Sequence, residues 1–350
     1  MRYPDFINSN SSIGLPAPSF GCTTEPYYTA LNHMMEVMRE KGHLLYPGTN
    51  SFKDDGVGIS TNPHDCGGEL TAMYLDDDID MLISCGGGEL MCEVLDYIDF
   101  EAIKSAKPKW FMGYSDNTNF IFPQVTLCDT AGIYGPCAST FGMEPWHKSL
   151  HDFYSLLKGE EKTFSVYDKW EDIAFKSPEA PLETINATED RIHVIYKDGE
   201  LIKDARKSDI TFQMKGRMLG GCMDCLINMI GSKYDNVKAF DEKYAADGII
   251  WVLESCDLNV FSIRRAMWQM EHAGWFKHVN GFLIGRPANG ESIGNLDRYD
   301  AILAVASKYN VPVIMDTDIG HRSPMIPVVM GAIGNIEVNG NDMKVTYSFE

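Results

Sequence analysis

A serine, a glutamate and a histidine stand in this sequence where acyl-transfer chemistry would need them. Ser115 lies in Trp110-Phe-Met-Gly-Tyr-Ser-Asp-Asn-Thr118, which reads as an apolar strand end, a tight turn at Gly113, and then residue types that favour a helix start. A serine held between strand and helix has its hydroxyl thrust out of the turn, with the helix-start amides behind it. The pattern is Gly-x-Ser-x-Asn, a nucleophile elbow without its last glycine. Many serines at such turns only cap a helix, so chemistry here requires partners. Glu254 closes the apolar run Ile249-Ile-Trp-Val-Leu253, and His321 follows Gly320 in the loop after Val311-Pro-Val-Ile-Met315. A serine needs a base to take its proton, and an imidazole base needs an acid to fix its tautomer. Serine, acid, histidine is one of the chain orders in which such triads occur. Each residue also has a plainer use. Glu254 could cap the next helix, and His321 could bond backbone within its loop.

Ile79-Asp-Met-Leu-Ile-Ser84 reads as a buried strand, followed by Cys85-Gly-Gly-Gly-Glu89 and an expected helix through Leu90, Val94 and Leu95. Strand, glycines, helix is the layout of an anion-binding turn. Neither Gly-x-Gly-x-x-Gly nor a following Lys-Ser/Thr is present, which excludes the usual phosphate cradles. The glycines either let backbone amides approach a reacting oxygen or simply make a tight turn. Cys222-Met-Asp-Cys225 has the CxxC spacing, but without a second pair or a neighbouring histidine. The nine scattered cysteines read as buried reduced thiols, and no metal is expected.

The elements that must position these residues alternate. Helices are expected over 26–41 and from Asn62 to Tyr74, between a short strand ending in a Pro-rich turn over 12–19 and strands at 43–46, 79–84 and 110–112. Pro123 should kink or shorten the helix after Ser115. Such alternation to about residue 140 implies a mainly parallel sheet with helices on both faces. Ligands of such sheets sit beyond the carboxyl ends of the strands, where the glycine triplet and Ser115 both fall. From about 141 to 215 the chain turns polar and irregular, with Trp146, Tyr154, Trp170 and Phe175 among many charges. Asp198-Gly199 marks a β-hairpin between 192 and 203. Strands and helices then alternate again through 246–253, 260–272, 281–286, 299–309 and 311–316, and 328–349 reads as antiparallel β. At 350 residues, two domains are expected. The link is expected near 165–175, giving 1–170 with Ser115 and 171–350 with Glu254 and His321.

A net charge of −20 argues against nucleic acid or an anionic membrane as partner. No apolar run approaches the ~20 residues needed to cross a bilayer. The N-terminal residues lack the apolar core of a signal peptide, so a cytoplasmic protein is expected.

Gly113-Tyr-Ser-Asp-Asn-Thr118, Gly86-Gly87, Gly220-Gly221, Leu253-Glu254 and Gly320-His321 together resemble the LD-carboxypeptidase family of serine peptidases. Within it, the chain most resembles the branch of microcin C self-immunity peptidases. The resemblance runs in order through nearly the whole chain. It implies an N-terminal α/β domain with a mainly parallel sheet, a C-terminal α/β domain with antiparallel β content, and a site at the domain interface. It implies Ser115 as nucleophile, Glu254 as orienting acid and His321 as general base, with an oxyanion hole from the backbone amides of Gly87 and Asp116. It also implies a homodimer and no metal or cofactor. The murein-recycling branch carries Arg-Gly-Gly-Tyr-Gly where this chain has Cys85-Gly-Gly-Gly-Glu89. The absent arginine and tyrosine point away from murein tetrapeptides and release of D-alanine. An aromatic-bearing insert suits a flat leaving group, so an aminoacyl-nucleotide or small peptide substrate is expected, with Gly88 and Trp170 on its binding side. Trp146 and Trp170 could equally pin the insert to its domain. A catalytically silent protein that sequesters a small ligand is the alternative in another class.

Overall fold

Parallel strands joined by helices build the first of two units into which the chain divides, Met1–Glu161 with Phe175–Ile185. The second is Lys162–Ala174 with Asn186–Glu350. The computed structural model describes residues 1–172 and 177–349; Phe175, one of the aromatic residues noted in the insert, lies outside them. The first unit contains β1 (Ser12–Leu15), α1 (Tyr27–Glu40), β2 (Leu44–Pro47), α2 (Pro63–Leu75), β3 (Met81–Ile83), α3 (Phe100–Ser105), β4 (Trp110–Gly113), α4 (Thr118–Thr126), β5 (Gly132–Tyr134) and α5 (Lys148–Leu157). Its strands pair in parallel in the order β5-β4-β3-β1-β2. The chain moves from β1 to one side and then returns to the other, which creates a switch point between β1 and β3. Crevices for ligands open at such points, beyond the strands' carboxyl ends.

Local sequence explains the elements. Asn62 caps α2 by accepting from the Asp65 amide at 3.0 Å, and Pro63 takes the first helical position, where a missing N–H costs nothing. α4 holds Pro123 and is only nine residues long, with every residue buried. The helix expected through Leu90 and Leu95 is absent. Two 3-10 turns, Met91–Glu93 and Leu95–Tyr97, stand in its place. The amides that would start it are engaged elsewhere: Glu89 donates to the Gly58 carbonyl at 3.0 Å and Met91 to the Asp116 carboxylate at 3.0 Å. Conversely, α5 lies in the segment that reads as irregular. Leu150, Phe153, Leu156 and Leu157 form its buried face, and His147 Nδ1 caps it by accepting from the Ser149 amide at 3.1 Å.

The second unit contains β6 (Thr163–Ser165), β7 (Lys169–Trp170), β8 (Glu189–Asp190), β9 (Val194–Lys197), β10 (Glu200–Ile202), β11 (Thr211–Cys222), α6 (Met223–Met229), α7 (Val237–Lys243), β12 (Ile249–Glu254), α8 (Val260–His272), β13 (Val279–Gly285), α9 (Arg298–Ala306), β14 (Val313–Thr317), β15 (Val328–Met330), β16 (Ile333–Asn339) and β17 (Asp342–Ser348). Nine of these strands form one mixed sheet, ordered β10-β9-β14-β13-β12-β11-β16-β17-β6. The four central strands, β11 to β14, are parallel, and both flanks are antiparallel. The β9–β10 hairpin turns through Asp198 and Gly199 at φ 53° and 85°, the left-handed pair that Asp-Gly favours. β7 and β8 pair separately.

The long strand β11 lies unusually close to its neighbour. A β-carbon on Gly220, whose φ is +147°, would stand 1.8 Å from the Val252 carbonyl oxygen. Gly220→Ala therefore must open the β11–β12 pairing, an overpacking and backbone-strain change of the most costly kind. We expect a loss of about 3 kcal/mol or more, read as a large drop in thermal midpoint. Gly231→Ala, at a position with open space around it but also at positive φ, should cost about 1–2 kcal/mol.

Candidate functional site

In the first unit, three loops meet at the switch point. Ser115 leaves β4 with φ +61°, the left-handed region that L-residues other than Asn and Asp seldom adopt. Two contacts hold it there. Its amide donates to the Tyr134 hydroxyl at 3.1 Å, and Asn117, buried under the turn, donates from Nδ2 to the Tyr114 carbonyl at 3.1 Å and the Gly86 carbonyl at 2.9 Å. Asn117 thus ties the serine turn to the glycine loop, a role invisible in the spacing of the motif. Gly87 faces the serine: a β-carbon there would lie 3.4 Å from Ser115 Cβ and 3.5 Å from its Oγ. The Gly87 carbonyl accepts from the Phe20 amide at 2.8 Å, which joins the loop after β1 to the loop after β3. Gly88 is packed more tightly, since a β-carbon would come within 2.1 Å of Ser19 Oγ.

Asp116 is a buried junction. Its Oδ2 accepts from Ser19 Oγ at 2.6 Å and the Met91 amide at 3.0 Å, and its Oδ1 accepts from Asn119 Nδ2 at 2.9 Å. Burial nevertheless dominates these hydrogen bonds and pushes its pKa up to about 6.

In the second unit, Glu254 ends β12 with 1 % exposure, and its Oε2 meets His321 Nδ1 at 2.8 Å. His321 stands in the loop after β14. Glycines make this contact possible. A β-carbon on Gly285 would come within 2.8 Å of Glu254 Cβ, and one on Gly320 within 2.4 Å of its Oε2. Glu254 does not cap α8; Asn259 does, accepting from the Ser262 amide at 3.0 Å. Burial alone would depress the imidazole pKa, but the charge and hydrogen bond of Glu254, with the Cys256 thiol, raise it well above its ordinary value. Neighbouring loops are braced as well. Asp224 accepts from the amides of Cys256, Asp257 and Leu258 at 3.1, 2.9 and 3.1 Å. Asp318 pairs with Arg286 at 2.6 Å and accepts from the Tyr167 amide at 2.7 Å. The Asp318 contacts are buried, those of Asp224 part-buried to exposed, and the local sequence discloses neither set.

Trp170 lies in the same neighbourhood. The guanidinium of Arg286 sits 5.1 Å from its ring centre, and its indole N–H donates to the Asp190 carbonyl at 3.3 Å. Trp146 belongs to the first unit, where its indole donates to the Phe141 carbonyl at 2.8 Å and Lys41 lies 4.5 Å above its ring. Among the described residues, one group offers metal-ligating atoms close together: Cys222, Glu254 and His321. No described helix is long and apolar enough to cross a membrane.

A parallel α/β sheet followed by a mixed one, with the candidate side chains at strand ends, makes this a two-unit α/β protein. Residues 13–135 match the LD-carboxypeptidase N-terminal domain and residues 215–336 the LD-carboxypeptidase C-terminal domain, together well over half of the chain, and the chain belongs to that family. A relative from Vibrio cholerae with a provisional carboxypeptidase name is 23% identical, over 99% of this chain and 98% of its own. The fold is shared with the microcin C7 self-immunity protein MccF in its wild-type apo state, at a TM-score of 0.79 and 19% identity, covering 100% of this chain and 99% of that one. MccF has also been solved with aspartyl sulfamoyl adenosine, where the TM-score is 0.76. An MccF-like protein from Bacillus anthracis matches at a TM-score of 0.79 and 20% identity, over 99% of this chain and all of its own.

The raised pKa of Asp116 gives a pH test. An acid whose folded pKa of about 6 exceeds its unfolded value near 3.8 adds stability that is fully present below pH ~4 and lost as pH rises through ~6. That difference corresponds to a contribution on the order of 3 kcal/mol. Thermal midpoints of wild type minus Asp116→Asn, taken from pH 4 to 8, should therefore fall across that window. A flat or rising difference contradicts the assignment.

Proposed function

We propose that the protein is a serine peptidase that hydrolyses an amide bond through an acyl-enzyme, with Ser115 as nucleophile. His321 accepts the Ser115 proton and then gives it to the leaving amine, while Glu254 fixes the Nδ1–H tautomer and stabilises the imidazolium. The backbone amides of Gly87 and Asp116 hold the oxyanion. The observation that carries this reading is the 2.8 Å contact between Glu254 Oε2 and His321 Nδ1, made by a buried carboxylate that glycines have cleared space for. It leaves Nε2 as the basic nitrogen, the arrangement an imidazole base requires. No metal or cofactor enters the scheme, and the protein acts in the cytoplasm as a homodimer.

The substrate is an aminoacyl-nucleotide or aminoacyl-sulfamoyl-nucleoside amide, the class of compound with which MccF has been solved. Cys85 and Gly88 stand where a murein enzyme of the family carries arginine and tyrosine. Trp170, half-buried against Arg286, offers its remaining surface to a base, and such stacking contributes roughly 1–3 kcal/mol. Gly88 keeps the glycine loop free of side chains beside Ser19.

A fluorophosphonate probe should label wild-type protein at Ser115. Ser115→Ala should abolish labelling and lower turnover by about 10⁴-fold or more. A wild-type protein that ignores the probe yet binds aminoacyl-nucleotides tightly would be a sequestering protein and not a peptidase.

The pH profile separates the roles of the pair. Labelling needs neutral His321, so its rate should rise as pH passes the elevated imidazole pKa. Glu254→Gln removes the charge that raises this pKa. The rising limb should then move to lower pH while the plateau falls by roughly 10²–10⁴. A plateau loss without movement of the limb would assign Glu254 a packing role only. For substrate, kcat/KM measured side by side should favour an aminoacyl-sulfamoyl adenosine over murein tetrapeptide, with Trp170→Ala raising KM more than it lowers kcat. Faster D-alanine release would reverse the substrate assignment.

A further inference from the structure

Sulfur surrounds the Glu254–His321 pair. Cys222 closes β11 directly opposite Glu254 in the parallel register. Its Sγ, one carboxylate oxygen of Glu254 and one ring nitrogen of His321 all lie within 4.8 Å of one another. Cys222 and Glu254 are each 1 % exposed, while His321 keeps 15 % of its side chain accessible, which leaves one open side to the group. Two more thiols border it, with Cys225 hydrogen-bonded to Cys222 and Cys256 to His321. The CxxC spacing places these groups at one strand end, which the peptidase scheme leaves without a use.

Thiolate, imidazole and carboxylate form a donor set suited to zinc, whose bonds of about 2.0–2.3 Å set tetrahedral ligand atoms roughly 3–4 Å apart. His321 Nδ1 and Glu254 Oε2 stand 2.8 Å apart with Cys222 Sγ inside the same 4.8 Å group, so an ion entering there has to part the carboxylate and the imidazole. We propose that Cys222, Glu254 and His321 bind a single Zn²⁺ ion, which takes the place of the proton between His321 Nδ1 and Glu254 Oε2. Binding releases the Cys222 thiol proton to solvent, the single proton of the neutral His321 ring passes from Nδ1 by way of solvent to Nε2 (from the imidazolium the Nδ1 proton is released outright), and a water fills the fourth position. An imidazole bound through Nδ1 carries its remaining proton on Nε2 and has no lone pair left to accept one. The ion is therefore an inhibitor, and this inhibitory consequence rests on the proposed peptidase function; the metal site itself does not.

Co²⁺ is the probe, titrated into the full chain after chelator treatment. The expected result is one saturable site with a thiolate-to-cobalt band in the near ultraviolet and the intense visible bands of tetrahedral cobalt, bleached by added Zn²⁺. The thiolate band should disappear in Cys222→Ser, whose hydroxyl still reaches Asp224, the present partner of Cys222 Sγ at 3.3 Å. It should persist in Cys225→Ser. If Cys222→Ser does not fold, a Cys225→Ser/Cys256→Ser double variant leaves Cys222 as the only thiol there, and retention of the band supports the site. Absence of a thiolate band in folded wild type, its survival in Cys222→Ser, or its loss in the double variant overturns the proposal. Zn²⁺ should also suppress fluorophosphonate labelling of Ser115, with recovery on adding chelator. Failure of metal-free protein to label counts against the peptidase reading alone, because the cobalt spectrum decides the metal site independently.

Discussion

Burying a carboxylate is costly unless its charge is matched, and the second unit is arranged around one such group. Glu254 sits at 1 % exposure at the end of β12, with Gly285 on one side and Gly320 on the other too close for any side chain. The space that remains admits the His321 ring at 2.8 Å. A buried charge in this position is stabilised only by a partner of good geometry, so the loop after β14 has to hold the imidazole where it lies. The Asp318–Arg286 pair and the Asp318 contact to the Tyr167 amide anchor that loop. Asp224 fixes the loop after β12 through three amides. The acid and its histidine thus stand between two loops that are each braced by a carboxylate of their own.

The first unit reaches a comparable result by other means. Ser115 is held at positive φ by Asn117 below and the Tyr134 hydroxyl behind. A strain on the order of 1–3 kcal/mol is held in place by these hydrogen bonds, and it sets the serine side chain beside Gly87. Asp116 links the loops after β1, β3 and β4 through Ser19, Met91 and Asn119. A single buried carboxyl group therefore couples three strand ends at the point where ligands of parallel sheets gather.

Much of this was legible in the sequence because it depended on neighbours in the chain. The strand before Ser115, the Asp-Gly hairpin, the apolar run before Glu254 and the alternation that makes both sheets all rest on local pattern. Where sequence pattern and structure part, long-range competition or a charged background to a helical period is the cause. The segment after the glycine triplet has helical composition, yet Gly58 and Asp116 capture its first amides, and no local rule could reveal that. The face of α5, Leu150, Phe153, Leu156 and Leu157, was written plainly in its spacing and was obscured by the charged residues around it. Cys222 beneath Glu254 follows from the register of β11 on β12, which no spacing between positions 222 and 254 could disclose. Trp170 likewise read as an insert residue, whereas its environment is set by Arg286, more than a hundred residues later in the chain.

The pairing of β6 with β17 bears on how the protein is made. Thr163, Phe164 and Ser165 find their partners at Thr346, Val345 and Lys344, so the edge strand must wait while the ribosome adds nearly the whole second unit. The parallel strands of the first unit join over shorter spans and complete their mutual pairings well before that. During this interval β6 exposes an unsatisfied strand edge on a nascent chain, the kind of surface that recruits wrong partners. Ser165 and Thr163 stand exposed on either side of Phe164, and the lysine at 162 and the acidic pair at 160 and 161 precede them. A short, alternating edge flanked by charges resists premature association until β17 has been made and supplies its mate.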